Sequence, residues 1–321
     1  MQLCPEIDPT AALQFVINGE SGSSDGDAKR AMIEAVLAVA GRRAELSFGQ
    51  GQNLGQVAQR AAAKAKASHT AVVAVGGDGT INTVAQVAHG LACAMGVVPQ
   101  GTFNYFARTH GIPADPAAAV RQLLDCKALP VQVAAINDRV FLVNASLGLY
   151  PDLLEEREAY KARFGRSRWV AFWAGSATLL RAQRKLHLTI EQGTTARAVK
   201  TLTLFVGNNH LQLEQLGMLN DDHSAPAHAD GHLTAVMLRP IGTLEMVRLM
   251  LQGAMGSLGE AQSVEHFAFK RMVVRPTLRT SSRGVKVAFD GEVARMRAPL
   301  CFQVLDQPLY LLKPHPEDSA A

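Results

Sequence analysis

The chain contains little cysteine and no long apolar run. Its 321 residues include four cysteines, which lie far apart and lack both the CxxC spacing of a zinc site and the density of a disulfide framework. No uncharged apolar stretch is long enough to span a bilayer, and the first residues lack a basic segment followed by an apolar one. We therefore expect a cytoplasmic protein whose contact with a membrane is at most peripheral, on the inner face.

An excess of charge of one sign is also missing. The formal net charge is +4, which is too small to require a nucleic-acid partner and is compatible with an anionic ligand or membrane surface. Hydrophobic residues make up 48% of the chain, which excludes a disordered or collagen-like protein. The length predicts two domains. The oligomeric state is left open, with a homodimer as one option.

Residues 10–128 alternate short apolar runs with helical patterns, which is typical of βαβ units. Strands are predicted at Leu13–Asn18, Ala44–Phe48, Thr70–Val75 and Met95–Pro99. The third is apolar throughout, which indicates a central strand buried on both faces of the sheet. The sequence thus predicts an N-terminal α/β domain with a doubly wound parallel sheet.

From residue 129 the pattern changes to short strands with few helices between them. Such a series is typical of an antiparallel sandwich, so we predict a C-terminal β-sandwich domain over residues 129–313. Two helical segments, Leu153–Arg184 and Leu244–Leu258, interrupt this domain. The return of the last strand to the first domain is left open.

A glycine-rich loop follows the buried third strand. In VVAVGGDGTINTVAQ, Gly76, Gly77 and Gly79 precede a predicted helix. Without side chains there, backbone N–H groups can approach phosphate oxygens, and the helix dipole favours negative charge. Asp78 would repel phosphate unless it serves a metal ion or orients a donor, so the loop favours Mg²⁺-nucleotide chemistry. The alternative is a glycine-rich turn without a ligand.

Thr102 and Asn104 follow the next predicted strand. The carboxyl ends of parallel strands meet at one edge of an open α/β sheet, and ligands bind at that edge. We therefore predict a binding role for both residues.

Both tryptophans, Trp169 and Trp173, lie in an apolar helical pattern with basic residues on either side. This arrangement suits a helix that contacts anionic lipid. It suits a buried helix of the second domain equally well, because the apolar residues lie nearly all round the helix.

Separated motifs connect these segments to a known family. They are VINGESG (Val16–Gly22), GGDGTIN (Gly76–Asn82), PQGTFNYFAR (Pro99–Arg108), FLVNASLGLYPDLLEEREAYKARFGRSR, DGHL (Asp230–Leu233) and FDGE (Phe289–Glu292). Together they resemble the diacylglycerol kinase catalytic-domain family, particularly its bacterial lipid-kinase branch, over nearly the whole chain. The chain departs from the family at Gly19, where Pro is common, and at Tyr105, where Asp or His is common. GGDGT alone is shared with NAD kinases and phosphofructokinases.

The resemblance implies a kinase that binds ATP between its two domains and phosphorylates a lipid alcohol under Mg²⁺, with residues 10–128 as the nucleotide-binding domain. It also implies a structural Mg²⁺ held by the Asp230 carboxylate and the carbonyl oxygens of Ala227 and His232, and oxygen ligands on a loop suit this hard cation. The residues implied to contact the nucleotide are Asn18, Gly76, Gly77, Asp78, Gly79, Thr80, Ile81, Asn82, Thr102 and Asn104.

Two acidic residues, Asp290 and Glu292, follow an alternating strand in VAFDGEV. Phosphoryl transfer to an alcohol needs Mg²⁺ to offset the phosphate charge and a carboxylate to accept the hydroxyl proton. Guided by the resemblance, we predict Asp290 as the general base and Glu292 or Asp78 as the group that assists the metal. The roles of Asp290 and Asp78 are open to exchange. The alternative is a hairpin turn with two solvated carboxylates.

Two other functions remain compatible with the sequence. An NAD kinase-like kinase of a soluble metabolite would carry the same glycine loop. A non-catalytic nucleotide- or lipid-binding protein could use the same fold, and the departures from the family keep this alternative open. The identity of the lipid acceptor is not predicted, because acceptor pockets are apolar and many sequences can form them.

Overall fold

The computed structural model describes residues 4–19, 23–101, 103–148, 185–208, 231–242, 263–277 and 284–314. The chain forms two compact units. The first runs to Val133 and resumes at Leu305, and the second comprises Ala134–Val304. The predicted helices at residues 153–184 and 244–258, and both tryptophans with them, lie outside the described residues. Within the described ranges, no helix combines the length and apolar character needed to cross a bilayer.

The first unit begins with alternating strands and helices. Its last helix starts after Asp115, whose carboxylate accepts the N–H of Ala118 at 2.7 Å, with proline at the first helical position. The elements up to Val133 are β1 (Leu13–Asn18), α1 (Ser23–Val39), β2 (Ala44–Gly49), a 3-10 turn (Gly51–Asn53), α2 (Leu54–Ala67), β3 (Ala71–Gly76), α3 (Asp78–Leu91), β4 (Ala94–Pro99), α4 (Tyr105–Thr109), α5 (Pro116–Gln122) and β5 (Lys127–Val131).

The described part of the second unit consists of strands, and one more strand follows it. The strands of the second unit are β6 (Ala134–Ile136), β7 (Arg139–Phe141), β8 (Asn144–Gly148), β9 (Leu186–Gln192), β10 (Thr195–Thr201), β11 (Thr203–Gly207), β12 (Leu233–Leu238), β13 (Val264–Phe269), β14 (Arg271–Pro276), β15 (Val285–Phe289), β16 (Glu292–Met296) and β17 (Leu300–Val304). Strand β18 (Leu309–Lys313) belongs to the first unit.

The sheet of the first unit has the strand order β2-β1-β3-β4-β18-β5. All neighbours are parallel except β18 and β5, which are antiparallel. Helix α2 packs against β1, β2 and β3, and α3 packs against β3, β4 and β18. Every residue of β3 is buried, which explains why its sequence is apolar throughout. The carboxyl ends of β1, β3 and β4 therefore lie side by side at one edge.

The second unit contains two antiparallel sheets, with the orders β10-β9-β14-β17-β6-β7 and β13-β12-β11-β8-β15-β16. Residues of both sheets form one buried core, including Phe141, Leu204 and Phe302. Alternation along the strands directs these side chains inward. The predicted fold class, a parallel α/β domain followed by an antiparallel β domain, is confirmed.

The ends of the first unit lie beside each other. Strand β5 pairs with β18, so the first unit extends beyond the predicted boundary near Leu129 to Val133. The N–H of Leu305 donates to the carbonyl of Val133 at 3.0 Å. The last strand thus completes the first sheet between β4 and β5.

Candidate functional site

The candidate site begins where β1 and β3 end. Asn18, the last residue of β1, donates from Nδ2 to the hydroxyl oxygen of Thr80 at 3.1 Å. Thr80 lies in the first turn of α3 and is buried. The contact joins two of the predicted nucleotide residues, which are 62 positions apart in the sequence.

Gly76, the last residue of β3, and Gly77, which follows it, differ in how much space a side chain would have. A methyl group on Gly76 would lie 2.6 Å from Thr80 Oγ1, so the packing of the fold itself requires glycine there. On Gly77 it would meet the Cα of Gly101 at 3.4 Å and the nitrogen of Gly101 at 3.9 Å, which are ordinary contacts, and Gly77 has an extended backbone. The fold therefore leaves room at Gly77 that a side chain could fill.

The loop after β4 lies against this turn. The N–H of Gly101 donates to Asn104 Oδ1, and Asn104 Nδ2 donates to the Gly101 carbonyl, both at 2.9 Å. Asn104 has φ 48°, a left-handed conformation that asparagine tolerates better than most residues. A methyl group on Gly101 would lie 2.7 Å from Asn104 Oδ1 and 3.0 Å from the Cα of Gly77. Glycine at 101 thus permits both contacts.

Asp78 connects the two loops through its side chain. Its Oδ2 accepts the N–H of Asn104 at 3.2 Å. Burial raises the pKa of Asp78, and the N–H groups of Asn104 and Tyr105, which donate to the carboxylate, act in the opposite direction. Its Oδ1 is buried and has no hydrogen-bond partner among the described residues. One carboxylate oxygen thus fixes the loop, and the other is bonded to none of the described residues.

Three further predicted nucleotide residues lie in the first turns of α3. Ile81 is fully buried and its N–H donates to the Gly77 carbonyl, which are the contacts of a core residue. Its predicted contact with the nucleotide stays a prediction. Asn82 is also buried, and the Gly79 carbonyl accepts the hydroxyl of Thr83 at 2.9 Å.

The predicted structural metal site falls largely outside the described residues, as do Ala227, Asp230 and also Thr102. His232 is described and is half-buried, next to Gly231 with φ 95°. Among the described ranges, no three His, Cys, Asp or Glu side chains lie close enough to hold a metal ion. The prediction of a Mg²⁺ at Asp230 stays a prediction.

Asp290, in the second unit, is buried and fully engaged with backbone. Its Oδ2 accepts the N–H of Leu142 at 2.7 Å, and its Oδ1 accepts those of Val143 and Asn144 at 2.8 and 3.0 Å. Its own N–H donates to the Asn144 carbonyl at 3.0 Å. These contacts hold the β7–β8 turn. They are those of a structural carboxylate and give no support to the predicted role of general base.

Glu292 begins β16 and is exposed. Partial desolvation raises the pKa of its carboxyl, and the positive charge of Arg139 acts in the opposite direction. A surface carboxylate with a raised pKa is a better proton acceptor than an ordinary glutamate.

Sequence reasoning missed one feature of the first unit, an aromatic pair on either side of Asn104. The rings of Phe103 and Tyr105 are stacked, with centroids 5.6 Å apart and planes inclined by 3°. Two aromatic residues flanking an asparagine were the available signal, and the left-handed backbone at Asn104 is what brings the rings together.

Residues 12–136 match the family model of the diacylglycerol kinase catalytic domain. This part of the chain is similar to that catalytic domain. Within residues 12–136, side-chain and close backbone contacts involve six of the predicted nucleotide residues, namely Asn18, Gly76, Gly77, Asp78, Thr80 and Asn104.

Curated proteins that part of this chain resembles are called "Probable lipid kinase YegS-like". The protein from Klebsiella pneumoniae (strain 342) is 39% identical over 98 residues, which cover 29% of this chain and 33% of that protein. The one from Pseudomonas aeruginosa (strain UCBPP-PA14) is 44% identical over 84 residues, covering 26% and 28%. The chain thus matches about a third of the length of these relatives.

Solved structures extend the likeness to the whole fold. A diacylglycerol kinase from Bacillus anthracis str. Sterne superposes with a TM-score of 0.65 at 18% identity, covering 95% of this chain and 97% of that one. Another structure from the same organism gives a TM-score of 0.70 at 19% identity, covering 95% and 98%. At this identity the likeness concerns the fold alone.

Proposed function

We propose that this protein is an ATP-dependent lipid kinase, which transfers the γ-phosphate of ATP to the hydroxyl of a lipid alcohol under Mg²⁺. The observation that carries the proposal is the start of α3, where Gly77 leaves space and Asp78 keeps one buried oxygen without a hydrogen-bond partner in the described chain. The relatives named as probable lipid kinases support the acceptor class.

The phosphates are proposed to bind at the start of α3. The first N–H groups of a helix have no partner within it, and Gly77 provides no side-chain cap. In a 14-residue helix, these donors and the helix dipole favour an anion. The Asn18–Thr80 hydrogen bond holds the first turn in place beneath the phosphates.

Asp78 is the residue proposed to hold the Mg²⁺. Its buried Oδ1 has no hydrogen-bond partner among the described residues and is a hard oxygen donor. Burial without a partner is costly for a carboxylate, so a cation at this oxygen would be favourable. The cation, when bound, offsets the negative charge of the phosphates. The second oxygen of Asp78 stays on the Asn104 N–H, so the carboxylate keeps a fixed orientation.

For the proton acceptor we propose Glu292 in place of Asp290. Asp290 already accepts three backbone N–H groups, whereas Glu292 is exposed and has a raised pKa. In the proposed step, the lipid hydroxyl oxygen forms a bond to the γ-phosphorus while the hydroxyl proton moves to Glu292. The bond from the γ-phosphorus to the bridging oxygen breaks, and ADP leaves.

Incubation with ATP labelled at the γ-phosphate, with and without total bacterial membrane lipid, tests the proposal. We expect label in an organic-soluble product only when lipid is present. Asp78→Asn should abolish it, and Asp306→Asn, at an exposed position of the same unit, is the matched control. Label transferred to NAD instead would indicate a soluble-metabolite kinase. Nucleotide binding without transfer to lipid or NAD would indicate a non-catalytic protein.

A further inference from the structure

Exposed large apolar side chains are few in the described part of the chain. They are Val39, Phe48 and Phe103, and Phe103 retains 42% of its accessible surface. Its ring stacks on that of Tyr105, which is half-buried. We call Phe103 and Tyr105 the aromatic pair. Single exposed apolar residues are common on protein surfaces, so the position of this pair beside the proposed phosphate site is what makes it a candidate for ligand contact.

The aromatic pair has a fixed position relative to the proposed phosphate site. Asn104, between the two rings, is tied to Gly101 by two hydrogen bonds and to Asp78 by its N–H. The N–H of Tyr105 also donates to the Asp78 carboxylate. The backbone that carries both rings is therefore hydrogen-bonded to Asp78, the residue proposed to hold Mg²⁺.

The surroundings of the aromatic pair are amphiphilic. Arg108 is exposed one turn after Tyr105 on α4, and residues three apart lie on the same face of a helix. Phe106 and Ala107 are buried and anchor the opposite side of this short helix. A cation beside an apolar surface suits an amphiphile with a polar head and an aliphatic chain.

We propose that the aromatic pair binds the aliphatic part of the acceptor next to the hydroxyl that receives the phosphate. The pair thereby selects a long-chain lipid alcohol over a small soluble alcohol. This inference rests on the proposed lipid-kinase function and names Phe103 and Tyr105 as its specificity-determining residues. Covering an aromatic ring with an aliphatic chain removes apolar surface from water, which favours the bound acceptor.

The test compares variants of the full chain in two assays. In the first, total bacterial membrane lipid in mixed micelles is titrated as acceptor at saturating ATP. In the second, ATP affinity is measured by calorimetry without lipid. For Phe103→Ser and Tyr105→Ser we expect the apparent KM for lipid to rise about tenfold, which corresponds to about 1.4 kcal/mol, with kcat and ATP affinity nearly unchanged. Phe103→Leu keeps an apolar surface and should retain most of the lipid affinity.

Val39→Ser is the matched control, because Val39 is an exposed apolar residue at the end of α1. An unchanged lipid KM in both serine variants would overturn the inference while the lipid-kinase proposal stands. Weakened ATP affinity in these variants would assign the rings to the nucleobase and overturn it as well. If the wild-type protein labels no lipid, the proposed function fails and the inference fails with it.

Discussion

The adjacent glycines at the end of β3 offer a paired perturbation, Gly76→Ala and Gly77→Ala. In Gly76→Ala the new methyl group would lie 2.6 Å from Thr80 Oγ1 and 2.7 Å from Thr80 Cβ. Thr80 is buried and its hydroxyl accepts a hydrogen bond from Asn18, so it has little freedom to move. Overpacking costs about 1–3 kcal/mol, and loss of the hydrogen bond adds about 1 kcal/mol. We expect the free energy of unfolding to fall by about 2–4 kcal/mol.

Gly77→Ala places its methyl group at an ordinary contact distance of 3.4 Å from Gly101 Cα. The free energy of unfolding should therefore change by no more than about 0.5 kcal/mol. If phosphate packs against this position, the methyl group displaces it, and ATP affinity should fall about tenfold. Urea unfolding and calorimetric titration with ATP measure the two quantities on the same samples. Full stability of Gly76→Ala would refute the packing argument, and unchanged ATP affinity of Gly77→Ala would refute the phosphate site.

Three further substitutions test the carboxylates. Asp290→Asn turns an amide NH₂ toward backbone N–H donors. The free energy of unfolding, measured by urea titration, should therefore fall by about 1–3 kcal/mol. A fully stable variant without turnover would instead support Asp290 as the base. Glu292→Gln should lower kcat about 10²–10⁴-fold with ATP affinity intact. Desolvation raises the pKa of Glu292, so wild-type kcat/KM should rise with pH with an apparent pKa above that of an ordinary glutamate. This rise should be absent in Glu292→Gln. A rise that persists in the variant would exclude Glu292 as the base. Asp78→Asn should weaken ATP binding with Mg²⁺ and leave binding without Mg²⁺ nearly unchanged, and equal effects in both titrations would contradict the cation role.

The local sequence was sufficient to predict the first sheet up to β4. Its strands were identified because runs such as Ala71–Gly76 are apolar throughout and end in glycine or asparagine, which are local signals. The glycine loop was found for the same reason.

Some strand boundaries are set by contacts between residues far apart in the sequence, and the local sequence does not predict them. The continuous run RVFLVNAS forms two strands, β7 and β8, with a turn between them. The N–H groups of that turn donate to Asp290, which is about 150 residues later in the chain. Likewise VQVAAI contains the end of β5 and all of β6, which belong to different units. Periodicity carries no information about which partner a backbone N–H will find.

The sequence alone could not decide the role of Asp290 for a related reason. A DG dipeptide in a turn is compatible with a reactive carboxylate and with one that holds backbone, and only the three N–H contacts distinguish them. Asp78 has the same ambiguity in one side chain, because one oxygen fixes a loop and the other has no hydrogen-bond partner among the described residues. Residue type and spacing predict the positions of carboxylate side chains. The hydrogen-bond partners of each carboxylate oxygen determine which role the side chain can have.

The position of β18 has a consequence for the order in which the protein can mature during synthesis. Helix α3 starts at the proposed phosphate site, and at its other end His89 Nε2 lies 2.9 Å from the Gln307 carbonyl oxygen while Gln307 Nε2 donates to the His89 carbonyl at 3.1 Å. The ribosome therefore has to release residues 305–313 before the first sheet can close and both ends of α3 are held. By that point the whole second unit has already emerged from the ribosome. We therefore expect the nascent chain to acquire nucleotide affinity only at the end of its synthesis.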